Sequence, residues 1–237
     1  MNEKNFLQEL LNKINIEIKE DSLNKLYGYM EYLLEENKKI NLTAIKDKKD
    51  FILKHIIDSI IMLDKSILEN GNNVIDIGTG GGFPGIPLKI VYPELKITLV
   101  DSVEKKIKFV ERACNKFNID VKLIHERIEN IGRNIEHREK YDIVVSKALA
   151  SLQILSELSL PLLKVGKVMI TSKGPKLSEE VEKSNNALKV LGGEITSIKE
   201  MIIPSTDIKR SIVTITKVSN TPMKYPRKAG IPNKKPL

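Results

Sequence analysis

The sequence predicts an α/β fold: a mostly parallel sheet covered on both faces, closed by an antiparallel final strand and preceded by a helical N-terminal region. Three observations predict it. From Val74 onward, short apolar runs alternate with segments of helical period, the pattern of βαβ units. The first run, Val74-Ile-Asp-Ile77, passes straight into a glycine-rich loop, Gly78-Thr-Gly-Gly-Gly-Phe-Pro-Gly85. Ahead of it, the first 65 residues carry apolar positions at helical spacing and no strand-like run.

The elements follow in order. Phe6, Leu10, Leu11 and Ile14 share a helical face, and so do Leu23, Leu26, Tyr27, Met30, Leu33 and Leu34 after Asp21-Ser22 as N-cap. A third helix from about Asp50 carries Ile52, Ile56, Ile60 and Leu63, beyond a polar turn at Asn41-Leu42-Thr43. Glu69-Asn70-Gly71-Asn72-Asn73 reads as a linker. Strands are expected at 73–77, 96–101, 121–125, 142–146 and 166–173, and helices near 86–92, 104–117, 151–163 and 178–191. Gly192-Gly193 ends the last helix, and 195–203 with 211–218 read as an antiparallel pair. The expected organisation is a helical region over 1–65, an α/β core over 66–218 and a basic tail over 219–237.

The glycine loop points to the ligand. Asp76-x-Gly78-x-Gly80-x-Gly82 is the spacing of the S-adenosylmethionine loop of Rossmann-like methyltransferases, where the backbone turns sharply and a ligand lies against it. Gly80-x-Gly82-x-x-Gly85 also fits the dinucleotide fingerprint. Position separates the two. Asp76 at the strand end repels a pyrophosphate but suits the ammonium of a methionine moiety, and Pro84 and Pro87 remove N–H donors a phosphate wants.

Ligands of open parallel sheets bind beyond the carboxyl ends of the strands. Asp101 ends the second strand, either as an acceptor for ribose hydroxyls or as a helix N-cap. Phe83 packs on the cofactor or is simply buried. Ile128 and Glu129 lie where an adenine needs an apolar wall and an acceptor for its amino group, or else start a solvated helix. Ser146-Lys147-Ala148 follows the fourth strand, where methyl transfer occurs in this architecture. That place lacks the Asn/Asp-Pro-Pro-aromatic motif of amino-group methylation. Methylation of pyrimidine C5 needs a cysteine nucleophile, and the single cysteine, Cys114, sits on the apolar stripe Ile107, Val110, Cys114, Phe117. A target with an exposed lone pair, such as guanine N7, needs no proton removed, so a flat pH–rate profile from about pH 6.5 to 8.5 is expected. Arg127, Lys147, Lys173 and Arg210 are the cations near strand ends able to grip RNA phosphates, or else ordinary surface charges.

Composition agrees with a globular protein: 41% hydrophobic and 30% charged, with no run as long as a membrane span. The N-terminus has no apolar signal core, so a cytoplasmic location is expected. One cysteine and three scattered histidines leave no metal-ligand pattern, and no metal is expected. Six of the eight net positive charges lie in residues 217–237, which have no acidic residue. Such a tail either grips an anionic partner, nucleic acid above all, with Arg227 and Lys228 at its centre, or only aids solubility.

These motifs together resemble the bacterial 16S rRNA guanine-N7 methyltransferase family (RsmG, or glucose-inhibited division protein B). The likeness runs through Asn41-Leu42-Thr43-Ala44, His55-x-x-Asp58-Ser59 and the loop from Asp76 to Leu88. It continues in Val100-Asp101-Ser102, Lys173-Gly174, Arg210 and the tail Tyr225-Pro-Arg-Lys-Ala-Gly230. The resemblance implies a Rossmann-like methyltransferase core and methyl transfer from S-adenosylmethionine to N7 of a guanosine in the 530 loop of 16S rRNA. The substrate is then 16S rRNA or a small-subunit ribosomal particle, with no obligate protein partner evident. It also implies that Gly78, Phe83, Ile128, Glu129 and Lys147 contact the cofactor. Arg127, Lys147 and Arg210 then act in the active site or on RNA. The family usually has Ser-Arg-Ala where this chain has Ser146-Lys147-Ala148; lysine keeps the charge but lacks the planar fork. Ile128-Glu129 stands where Ala-Glu is common. The competing readings are a methyltransferase acting on another substrate, and a non-catalytic module binding RNA and either S-adenosylmethionine or a nucleotide.

Overall fold

The computed structural model describes residues 2–69, 71–175 and 177–237. Helix α1 (Glu3–Lys13) starts where the Asn2 side chain accepts the Asn5 N–H at 2.8 Å, which satisfies one donor of the open first turn. Helix α2 (Glu20–Ile40) begins just ahead of the expected Asp21-Ser22 cap and ends at Asn41, in the left-handed region at φ 50°, which asparagine tolerates. Its buried stripe is Leu23, Leu26, Tyr29, Met30 and Leu33. Tyr29 rather than the expected Tyr27 lies at its centre. The third expected helix is composite: α3 (Lys48–Phe51), a π-helical segment (Ile52–Ile57) and α4 (Asp58–Ile60). Of the expected linker, Asn70 lies outside the described residues, and Asn73 already opens the sheet.

Seven strands form one sheet: β1 (Asn73–Ile77), β2 (Lys96–Asp101), β3 (Lys122–His125), β4 (Tyr141–Lys147), β5 (Leu163–Lys173), β6 (Gly193–Ile202) and β7 (Lys209–Lys217). Their order is β3-β2-β1-β4-β5-β7-β6. The first five pair in parallel, and β7 runs antiparallel to both β5 and β6. The covering helices are α5 (Gly85–Val91), α6 (Glu104–Phe117), α7 (Ile128–Arg133), α8 (Leu152–Ser159) and α9 (Leu177–Leu191). The helix expected over 151–163 stops at Ser159 in a 3-10 turn, Leu160–Leu162, because Pro161 has no N–H to continue the ladder. Strand β5 therefore starts three residues earlier than the expected 166.

Strand side chains alternate between two cores. Val74, Ile143, Val145 and Ile170 pack with α1, α2, the composite helix, α5 and α6. Ile75, Ile77, Val144 and Met169 pack with α7, α8 and α9. The N-terminal helices thus share one continuous apolar core with the first face of the sheet. No helix among the described residues is long and apolar enough to cross a membrane.

Residues 219–237, expected as a basic tail, are folded back onto the second layer and end in α10 (Ile231–Lys234). Arg138 donates to the carbonyls of Thr221 and Tyr225 at 2.6 and 2.7 Å. Glu157 of α8, 1% exposed, accepts from the Arg227 backbone N–H and guanidinium. Glu129 accepts the Gly230 N–H at 2.8 Å. Lys217 is fully buried, paired with Glu139 at 2.7 Å. The cations of this segment that face solvent are Lys224, Lys228, Lys234 and Lys235.

Candidate active site

The loop after β1 is held by its own ends. The N–H groups of Gly78 and Thr79 both donate to Val100 O, at 2.9 and 3.0 Å. Asp76 Oδ2 accepts Thr79 Oγ1 at 2.7 Å and Gly85 N at 2.9 Å. Gly85 permits this approach: a Cβ there would stand 2.1 Å from Leu99 Cδ2. Asp76 is fully buried, and its Oδ1 has no hydrogen-bond partner among the described residues. Burial pushes its carboxyl up to about 7 against the Thr79 and Gly85 hydrogen bonds. An orphaned buried acceptor beside a glycine turn fits the ammonium end of an amino-acid moiety, directly or through water. Gly78 has φ +72°, and a Cβ on it would meet Leu149 Cδ1 at 2.5 Å. A larger residue there is strained by that φ and must push Leu149 aside.

Asp101 is built into the loop. Its Oδ2 accepts Gly80 N and its Oδ1 accepts Val103 N, each at 2.9 Å. The N-cap position of α6 falls to Val103, so Asp101 closes the turn just ahead of the helix rather than capping it. A carboxylate so engaged still has lone pairs left for ribose hydroxyls. Ile128 and Glu129 are buried rather than solvated, with Glu129 turned to the Gly230 N–H.

Tyr29, which the sequence does not single out as functional, reaches the loop from α2. Its hydroxyl donates to Gly81 O at 2.7 Å, and burial raises its pKa well above the ordinary value. Tyr29→Phe should leave that carbonyl unpaired, cost about 1–3 kcal/mol of stability, and weaken cofactor binding by loosening the turn. Denaturation midpoints and calorimetry of S-adenosylhomocysteine binding check both; unchanged values in each would remove Tyr29 from the site.

Phe83 lies under a second cluster. Its ring stacks on His55 with centroids 4.8 Å apart, meets Phe51 edge-on at 5.6 Å, and lies 5.5 Å from the Lys147 ammonium. His55 is held by Thr43 Oγ1 at 2.7 Å, and Asn37 in turn ties the backbone of Leu42 and Thr43 to α2. Burial, then Lys147, lowers the His55 pKa to about 3, so it is neutral at physiological pH.

Lys147 ends β4 and points into the composite helix. Its Nζ donates to Lys54 O at 3.0 Å, lies 3.4 Å from His55 O and Ser59 Oγ, and pairs with Asp58 Oδ2 at 3.6 Å. The π-helical segment supplies those carbonyls; such segments recur at functional sites. Antiparallel β7 delivers its first residues to the end where parallel β4 and β5 finish, and so Arg210 arrives here, its Nε 2.8 Å from Asp58 Oδ1. A cavity of about 440 Å³ opens against Asp58, Lys147, Leu149, Lys173, Glu180 and Arg210. Lys173 is buried, donating to Ala150 O at 2.6 Å and paired with Glu180 at 2.8 Å, because an unpaired ammonium at that depth is too costly. Arg127 is exposed at the end of β3. Three strand spacings, roughly 14 Å, separate β3 from β4, and no described hydrogen bond or ion pair links Arg127 to Lys147. Arg210 and Asp58 are its neighbours instead. Cys114 lies on α6, its thiol pushed up to about 12 by burial.

A parallel sheet with an antiparallel β7 inserted before the last edge, and a glycine loop after β1, defines the class: a Rossmann-like methyltransferase fold. Solved structures agree. A putative S-adenosylmethionine-dependent methyltransferase from Methanococcus maripaludis shares the fold with TM-score 0.55 at 16% identity, over 81% of this chain and 93% of that one. A precorrin-6y C5,15-methyltransferase from Geobacter metallireducens gives 0.51 at 16% identity, over 67% and 87%. The family model for rRNA small subunit methyltransferase G matches residues 22–212. Proteins of that name from Alkaliphilus oremlandii and Acetivibrio thermocellus are 44% and 47% identical, covering 99% and 94% of this chain and 98% and 91% of their own lengths. The chain belongs to the rRNA small subunit methyltransferase G family.

Proposed function

We propose that the protein transfers the methyl group of S-adenosylmethionine to N7 of a guanosine in the 530 loop of 16S rRNA, free or within a small-subunit particle, in the cytoplasm. The observation that carries this reading is the state of the carboxylates lining the cavity. Asp58 is paired with Lys147 and Arg210, and Glu180 with Lys173. Groups so engaged are poor general bases, and the sole thiol is buried on α6. An acceptor that brings its own lone pair suits such a site, and N7 is one.

When bound, S-adenosylmethionine supplies the methyl as an electrophile on its sulfonium. Gly78 and Gly80 would give it room, Asp76 would hold its amino-acid end, Asp101 its ribose, and Ile128 and Glu129 its adenine. Phe83 backs the site beneath His55. Lys147 and Arg210 border the acceptor, whose alignment with the donor is the main catalytic contribution. The wider set of cations expected on RNA is Arg127, Lys173, Arg227 and Lys228, of which Lys173 and Arg227 are held by Glu180 and Glu157. Of these, Arg127 and Lys228 are exposed and fit phosphate contact best.

Burial lowers the Lys147 ammonium to about 8, with Asp58 opposing the shift. A site that uses the charged lysine therefore loses turnover as pH rises through about 8, and the flat profile expected from sequence is cut short at its alkaline end. Lys147→Ala should lower turnover by about 100-fold with a smaller effect on RNA affinity. Lys147→Arg should stay active and extend the plateau beyond pH 8.5, since guanidinium does not deprotonate there. Single-turnover methylation of a 16S transcript, mapped at 7-methylguanosine, checks this. A rate rising tenfold per pH unit would point instead to a hydroxyl or amino acceptor, and wild-type turnover in Lys147→Ala would remove that residue from the site.

A further inference from the structure

We propose that Asp58 is the positioning residue of this site, holding Lys147 charged at the end of β4 and fixing Arg210 across the cavity from it. The inference rests on the methyl-transfer reading above. Asp58 is 4% exposed, and each of its oxygens has a different cation: Oδ1 lies 2.8 Å from Arg210 Nε, and Oδ2 lies 3.6 Å from Lys147 Nζ. One buried carboxylate thus joins three segments that are distant in sequence: the composite helix, β4 and β7. None of the other contacts of Lys147 supplies negative charge. Lys54 O, His55 O and Ser59 Oγ are neutral acceptors.

The charges facing Lys147 from every side make its state depend on Asp58. Asp58 exerts the strongest pull toward the ammonium form, and Asp76 of β1 adds a weaker one; burial and Arg210 of β7 oppose them. His55 is neutral, and Lys173 and Glu180, which line the same cavity, are paired with each other. One anion between two cations also leaves a net positive charge at the cavity mouth, the sign an RNA phosphate needs. Without Asp58 the two cations repel with no anion between them. Lysine then sheds its proton, or Arg210 swings to solvent.

The test reads Lys147 directly. Side-chain NMR of isotope-labelled lysine in the RNA-free, full-length protein follows its titration in wild type, Asp58→Asn and Arg210→Gln. Asp58→Asn should move the midpoint down by about one pH unit or more, and Arg210→Gln should move it up, since the arginine competes for the same carboxylate. Turnover of Asp58→Asn should fall about fivefold or more near pH 8 and recover substantially near pH 6.5. In a Lys147→Arg background that pH dependence should vanish. Binding of S-adenosylhomocysteine reports folding and should hold within about twofold. The proposal is overturned if the midpoint is the same in all three proteins, or if Asp58→Asn loses turnover equally at every pH. Should Asp58→Asn not fold, Arg210→Gln decides alone, by an upward shift or its absence. A wild type that does not methylate the transcript would overturn the functional reading instead, and the NMR midpoints would stand apart from it.

Discussion

Gly78→Val should abolish binding of S-adenosylmethionine while leaving the sheet intact. Gly78 has φ +72°, a region that costs an ordinary residue about 1–2 kcal/mol and a β-branched one more. A Cβ there also enters the space of Leu149, at 2.5 Å from its Cδ1. Either the loop flattens or Leu149 is expelled, and both destroy the cradle. An affinity loss beyond about 100-fold, near 2.7 kcal/mol, is expected. Calorimetry with S-adenosylhomocysteine measures it, with circular dichroism as the check on folding. Equal affinity in the variant would place the cofactor elsewhere.

Deleting residues 219–237 should unfold the protein or leave it marginally stable. From sequence, this segment reads as a tail whose removal weakens RNA binding and spares the cofactor site. Packing overturns that expectation. Removal strands Glu157, Glu129 and Arg138, all buried, without the partners that Arg227, Gly230 and the carbonyls of Thr221 and Tyr225 provide. Breaking a single buried pair costs about 3–5 kcal/mol, against a total domain stability of about 5–15 kcal/mol. Arg227→Ala alone should shift the denaturation midpoint by most of one such step. A truncated chain as stable as the full one would refute the clasp. The electrostatic part is read instead by changing Lys224, Lys228, Lys234 and Lys235 to glutamine. The slope of log affinity against log salt should then become shallower by roughly 0.7 for each single-strand phosphate that a lysine no longer neutralises.

The contrast between these two segments shows what a sequence can carry. The glycine loop is legible because its turn is written in backbone geometry. Four residues of two types at fixed spacing, Asp76, Gly78, Gly80 and Gly82, impose the turn wherever it lies. The strands are legible because a buried parallel sheet requires apolar runs, and their observed ends differ from the expected ones by at most three residues, the largest shift being at β5, where Pro161 ends the preceding helix early. Lys217 and Arg227 are illegible for the opposite reason. A lysine in a basic stretch looks the same whether it faces water or Glu139, and the partner that decides lies 78 residues away.

Local periodicity and residues adjacent in the chain were enough for the α/β architecture, the glycine turn, the isolation of Cys114 on an apolar stripe and the family likeness. Which charges meet was settled only in three dimensions. The fold placed Arg210 beside Lys147 because β7 runs antiparallel to β5, and set Arg127 three strands along the sheet, with β2 and β1 between β3 and β4. It brought Tyr29 and Asp58, from helices before the sheet, into the site. Long-range electrostatics and hydrogen bonds depend on distance in space, and strand order sets that distance. Spacing in the chain does not encode it.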